Sequence, residues 1–216
     1  MKKIIGIILI IIAVVVVTQL LPKNESEEIL PRNELQNDVL YEGELNQVED
    51  GTYEVVTTAS VLNWKGQTIT KSHSGTLAIS EGRLEALNGT ITGSIVINMD
   101  SLVSDGEGIT NDLKSDNFFD TETYPTARFD ITNYSQGALQ GELTIKNISQ
   151  PVSLPVTITT NINQLLINGM VTIDRTLWGI EYRSNSVFSD LGDKAIDDNL
   201  EIDVMIVAEG NYDISE

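Results

Sequence analysis

The sequence predicts an all-β domain of about eight antiparallel strands, a sandwich or a barrel, behind a separate apolar helix. Three observations carry this expectation. From Gly51 onward apolar residues recur at every second position, the period of a half-buried strand. Short clusters rich in Gly, Asn and Ser separate these runs, as turns do. Only one stretch of the domain, "GEGITNDLKSDNFF", suits a short helix.

The chain opens on "MKKIIGIILIIIAVVVVTQLL". Lys2 and Lys3 precede an unbroken apolar run from Ile4 to Val17, and Leu20 and Leu21 extend it. Eighteen helical residues span roughly 27 Å, against about 30 Å for a bilayer core. A cleaved signal peptide ends in a small-x-small site, and "VVVTQLLPKN" has none. Residues 1–21 therefore read as an uncleaved signal anchor, with a cleaved signal peptide as the alternative. The lysines keep the start of the chain cytoplasmic. The rest then lies in the cell envelope, on the periplasmic or exterior face of the cytoplasmic membrane.

Residues 22–50 carry nine acids against two bases, with two prolines. Low hydrophobicity with high charge does not offset the entropy of ordering, and like charges extend a linker. This segment reads as an acidic flexible tether, leaving residues 51–216 as the folded domain.

Within that domain "SVLNWKGQTITKSHSGTLAI" places Ser60, Leu62 and Trp64 on one strand face. Gly66 is expected to break that strand, and His73 and Gly75 to lead into the next. "GTITGSIVINMD" aligns Ile91, Ile95, Ile97 and Met99, and "ARFDI" aligns Phe129 and Ile131. Later runs align Val152, Leu154, Val156 and Ile158, then Val171 with Ile173, then Leu200, Ile202, Val204 and Ile206. Turns are expected at "EGR" from Glu81, "LNGT" from Leu87, "YSQGALQG" from Tyr134, and "INGM" from Ile167. Asn147 suits a left-handed turn position.

"DLKSDNFFDTETYPTARFDI" sets Phe118 and Phe119 among acidic residues, where neither a solvated loop nor a regular element accounts for them. They fall at the end of the short helix, and such a helix needs an apolar surface to cover. The mouth of a barrel offers one.

Composition excludes several chemistries. No cysteine is present, so there is neither a disulfide framework nor a thiolate metal site. One histidine, His73, rules out any site needing two imidazoles from one chain. A formal charge of -19 is opposite in sign to that of a nucleic-acid binder. Asp105, Glu107, Asp190 and Asp193 sit in acid-rich loops without the spacing of an EF-hand, and read as solvated turns. A carboxylate pair can cleave glycosides, but among so many acids no pair stands out. No enzymatic role and no cofactor is expected. His73, or one of Arg175 and Arg183, can meet a polar head group, since guanidinium suits phosphate and carboxylate; a plain surface ion pair is the more frequent explanation of such an arginine, and a satisfied or exposed side chain that of a lone histidine near a turn.

Four pieces in order resemble the YceI-like family of bacterial secreted proteins: "SVLNWKGQTITKSHSGTLAI", "LKSDNFFDTETYPTARFDI", "GELTIKNISQPV", and "IDRTLWGIEYRSN" with "LGDKAIDDNLEIDV". The resemblance spans roughly Thr52 to Ala208. It implies an eight-stranded antiparallel lipocalin-like β-barrel with the short helix capping one end. It also implies a lumen that holds a long apolar chain, a polyisoprenoid or a fatty-acid derivative, and in some members a homodimer. On that reading Trp64, Leu113, Phe118, Phe119, Phe129, Trp178 and Tyr182 are the pocket candidates, with His73 and Arg175 near the head group. The family often has a histidine before the leucine of the "LKS" piece; here Asp112 stands there, and an acid disfavours a phosphate nearby. The rival reading is a membrane-anchored interaction module whose barrel is filled by its own side chains.

Overall fold

The structure is a computed structural model, and it describes residues 48–210. The expected anchor and nearly all of the acidic tether fall outside that range. Among the described residues no helix is long and apolar enough to cross a membrane.

Nine strands and one α-helix follow in order: β1 (Gly51–Val55), β2 (Val61–Gln67), β3 (Ser72–Leu87), β4 (Thr90–Ser104), α1 (Glu107–Lys114), β5 (Thr126–Ser135), β6 (Ala138–Ile145), β7 (Ile148–Asn161), β8 (Gln164–Asp174) and β9 (Asn199–Gly210). All pairings are antiparallel, and a β3–β4 pairing closes the sheet. The barrel nonetheless has eight strand positions. β1 and β2 both lie between β3 and β9: β1 faces residues 83–86 and 208–210, and β2 faces 72–77 and 201–205. They are two halves of one broken strand.

Ser60 stitches the break. Its hydroxyl donates to the Val56 carbonyl at 2.9 Å and accepts from the Val207 amide at 3.0 Å. Backbone groups that the break takes out of the ladder thus keep partners, as buried groups must.

The alternation anticipated from the sequence is the burial pattern observed. Ile91, Ile95 and Met99 are buried along β4, as are Ala127, Phe129 and Ile131 along β5. Two expected turns are corrected. β3 runs unbroken through Glu81, where its register against β4 shifts by a bulge. β8 likewise runs through Asn168 and Gly169. Gly169 serves close approach, since a Cβ there would lie 2.5 Å from the Pro155 carbonyl oxygen. Gly66 does not end its strand, because β2 continues to Gln67. Glycine inside a strand marks a bulge or a close backbone as readily as a turn.

The two ends of the barrel differ. At one end, β3–β4, β5–β6 and β7–β8 join through two-residue turns at 88–89, 136–137 and 162–163. Asn88, Gly89, Gln136 and Gly137 all have positive φ, as tight hairpins require. This base is filled by Tyr53, Leu84, Ile91, Leu139 and Leu165, all nearly inaccessible. At the other end lie the tight turn 146–147 and three longer connections, 68–71, 105–125 and 175–198. The third of these carries two 3-10 turns, and the second carries α1.

Candidate lipid-binding site

The connection after β4 brings the paired phenylalanines to the open end. α1 begins at Gly106, and Thr110 accepts from the Ser104 amide at 2.9 Å while donating to the Gly106 carbonyl. None of its residues is fully buried, but Leu113 packs on the core. Beyond it a series of turns folds the chain back, with Asp120 left-handed at φ 48°. Phe118 and Phe119 are each only 8 % exposed. Lys146, in the facing hairpin turn, donates its ammonium to the Phe118 carbonyl at 2.8 Å. Asp112, Asp116 and Glu122 around them are exposed, so two core residues sit inside a polar sequence.

Three cavities run inward from this end and share walls. The outermost, about 200 Å³, is lined by Trp64, Gly66, His73, Asp112, Leu113, Phe118, Tyr182 and Arg183, among others. The next, about 100 Å³, shares Trp64, Gly66, Leu113 and Phe118 with it and adds Phe119, Met99, Leu102 and Leu143. The innermost, about 60 Å³, shares Leu62, Ile97, Leu143 and Ile202 with the second and adds Phe129, Leu154 and Val171. Beyond it the packed base begins. Together the three reach the lower end of the range of ligand pockets, about 300–1,000 Å³. Polar groups line the outer cavity, and the inner two are walled almost wholly by apolar side chains.

Trp64 forms one wall through a specific contact. Its indole Nε1 donates to the Val103 carbonyl at 3.1 Å across the strand between them. Gly75, its direct cross-strand neighbour, makes room: a Cβ there would lie 1.8 Å from that carbonyl oxygen and 2.8 Å from the indole nitrogen.

The remaining candidates separate. Tyr182 lies at the mouth, its ring edge-on to Phe118 with centroids 5.2 Å apart. Trp178 is buried and donates to the Leu143 carbonyl at 2.9 Å, but it stands behind the wall and lines none of the three cavities. His73 lines the outer cavity with its Nδ1 3.0 Å from Asp105 Oδ1. That hydrogen bond, with a second from Ser104, holds the Asp105 carboxyl below the usual carboxylate range.

Arg175 borders the middle cavity but is only 5 % exposed and is taken up by the protein. It donates to the carbonyls of Asp197, Ile180 and Ile196 and to Asp198 Oδ1, four of the five N–H bonds a guanidinium offers. Burial lowers its pKa, and the nearby charges of Asp198, Asp174 and Asp197 oppose that. It clamps the 175–198 connection onto the barrel. Asp190 and Asp193 lie in that connection without a cluster that could hold a metal ion among the described residues.

Sequence reasoning missed Gly66, Ile180, Ile196 and Asn199 as cavity walls. Gly66 was legible only as a glycine in a strand run, and the others lie in or beside irregular loops where no period marks an inward face.

A family model described as the YceI-like domain matches residues 53–208. Among solved structures, BcnA of Burkholderia cenocepacia is similar at 18% identity and a TM-score of 0.58, over 71% of this chain and 98% of that one. A polyisoprenoid binding domain from Saccharophagus degradans, implicated in plant cell wall breakdown, is similar at 14% identity and a TM-score of 0.58, over 76% of this chain and 100% of that one. At these identities the likeness is one of fold. No curated protein sequence matches.

Proposed function

The chain belongs to the YceI-like domain family, and from that premise we propose that its barrel carries or sequesters an amphiphilic long-chain lipid. A polyisoprenoid or fatty-acid derivative would lie with its chain in the lumen and its head at the mouth, without chemistry being done on it. The observation that carries this reading is the graded run of three wall-sharing cavities, with polar groups among mainly apolar ones at the mouth, apolar inside and closed at the base. A relative of the same fold is described as binding a polyisoprenoid, which agrees with it. Burying about ten methylenes is worth roughly 8 kcal/mol before the costs of association, at ~0.8 per methylene. Apolar contact alone can therefore hold such a ligand. The apolar run of residues 1–21, with the acidic tether behind it, supports an envelope location with the domain held off the membrane.

Gly66 offers the cleanest test. It borders both outer cavities, its φ is not left-handed, and a Cβ there would make only ordinary contacts, 3.8 Å to Leu200 Cδ1 and 4.0 Å to Trp64. Gly66→Phe is expected to fill the lumen and abolish lipid binding while the melting temperature holds. Native mass spectrometry and organic extraction of the full chain should find one chain-like lipid per barrel in the parent and none in the variant. Equal lipid content in both would defeat the lumen as the site. A parent that neither carries nor accepts any lipid would favour the filled-barrel module, which the small size of the two inner cavities keeps in play.

A further inference from the structure

Four arginines lie among the described residues, and three are paired: Arg83 with Glu54, Arg128 with Asp130 and Arg175 with Asp198. Arg183 has no carboxylate within ion-pair distance among the described residues.

Its surroundings explain how it is held. The guanidinium carbon lies 5.0 Å from the centroid of the Tyr182 ring, a cation–π distance. Tyr182 in turn packs edge-on against Phe118, which lines the outer and middle cavities alike. The backbone of Arg183 is left-handed at φ 52°, uncommon for a long side chain, and its carbonyl accepts from the Ile196 amide at 2.9 Å. The Arg183 head is thus carried on an aromatic stack that continues into the lumen, and its N–H donors have no hydrogen-bond partner among the described residues. Strain kept at a cavity mouth points to a use there.

The rest of the mouth limits what can bind. Asp112 borders the same cavity, is exposed and has no partner among the described residues. His73 is engaged by Asp105 through Nδ1, leaving Nε2 for a ligand. One free cation faces one free carboxylate. A head with several negative charges meets a single cation and is repelled by Asp112. A neutral head leaves the exposed guanidinium without an anion.

We infer that Arg183 selects the head group, and that the head is a single anion, a carboxylate or a phosphodiester, rather than a phosphate monoester, a diphosphate or an alcohol. This rests on the lipid-carrier reading above. Guanidinium matches both anions through paired N–H donors. Asp112 disfavours a second negative charge.

The test titrates the full chain in a fixed amount of nonionic detergent with hexadecanoate, hexadecyl methyl phosphate, hexadecyl diphosphate and 1-hexadecanol, read by tryptophan fluorescence, to which Trp64 at the cavity wall contributes. The parent should bind one or both monoanions at least about tenfold more tightly than the alcohol, and the tighter of the two identifies the head. Arg183→Asn, chosen because asparagine tolerates the left-handed backbone, should erase that preference with the alcohol affinity and the melting temperature unchanged. Asp112→Asn should admit the diphosphate. Parent and Arg183→Asn proteins with the same preference, or a parent that binds the alcohol as well as the monoanions, would overturn the head-group assignment and leave the carrier reading standing. Binding of none of the four would overturn both.

Discussion

A missing side chain decides where Trp64 points. Because Gly75 has no Cβ, the indole crosses its neighbour strand and reaches the Val103 carbonyl; aromatic cover of a strand glycine is a known barrel device. Gly75→Ala should cost about 4 kcal/mol in urea unfolding, because the new methyl meets backbone that cannot swing aside. A red shift of the Trp64 emission should accompany it, and an unchanged denaturation midpoint would refute the contact. Residues of this kind were half legible. Alternation placed Trp64 and Phe129, and the end of the short helix placed Phe118 and Phe119, near an apolar interior, and all four are buried. What alternation cannot tell is which of two arginines eight positions apart is spent. Arg175 and Arg183 look alike in sequence, yet one satisfies three carbonyls, two of them more than twenty residues along the chain, and the other satisfies none among the described residues. The difference is a matter of tertiary hydrogen bonding and leaves no local mark.

Elements were legible where period and turn chemistry agreed. The hairpins at Asn88-Gly89 and Gln136-Gly137 satisfy both. "EGR" and "INGM" misled because a glycine serves a bulge or close approach inside a long strand as well as a turn. The split of the first strand position into β1 and β2 had no signal, since only pairing with β3 and β9 defines it. The 175–198 connection has only two short 3-10 turns, and the hydrogen bonds of Arg175 with its ion pair to Asp198 hold it in place of a ladder. Burial alone would raise the pKa of Asp198; hydrogen bonds from Ser184 and Ser186 and the charge of Arg175 more than offset it, and the carboxyl ends below its ordinary value. A carboxylate so depressed contributes stability above its unfolded pKa of about 3.9 and loses it as pH falls through the folded value. Asp198→Asn should therefore destabilise the protein by about 1–3 kcal/mol at pH 7. The gap from the parent should close only below about pH 4, in urea melts run from pH 7 to pH 3. A gap constant over that range would show that the charge of Asp198 is irrelevant to the clamp.

The whole molecule is polarised along its axis. Its base combines tight turns with side chains that have almost no exposure, and its open end combines long connections with unfilled space. Local opening follows such differences in packing. Amide exchange should be slowest around Leu84, Ile91, Leu139 and Leu165, and faster in α1 and in 175–198. A uniform profile would mean that the mouth is as firmly built as the base. The all-β architecture was legible from the alternating runs, which fit a sandwich or a barrel alike; closure was implied only by the family resemblance. The polarity was not legible, because it depends on which turns share an end, and only strand order fixes that. The same polarity gathers the polypeptide's own attachments: Gly51 enters at the base, and Gly210 leaves there, paired with Tyr53. Whatever is fused, tagged or grafted to either side of the domain joins at the bottom of the cup. The rim is then free to vary in sequence, and specificity can diverge among such proteins without disturbing the part that makes them fold.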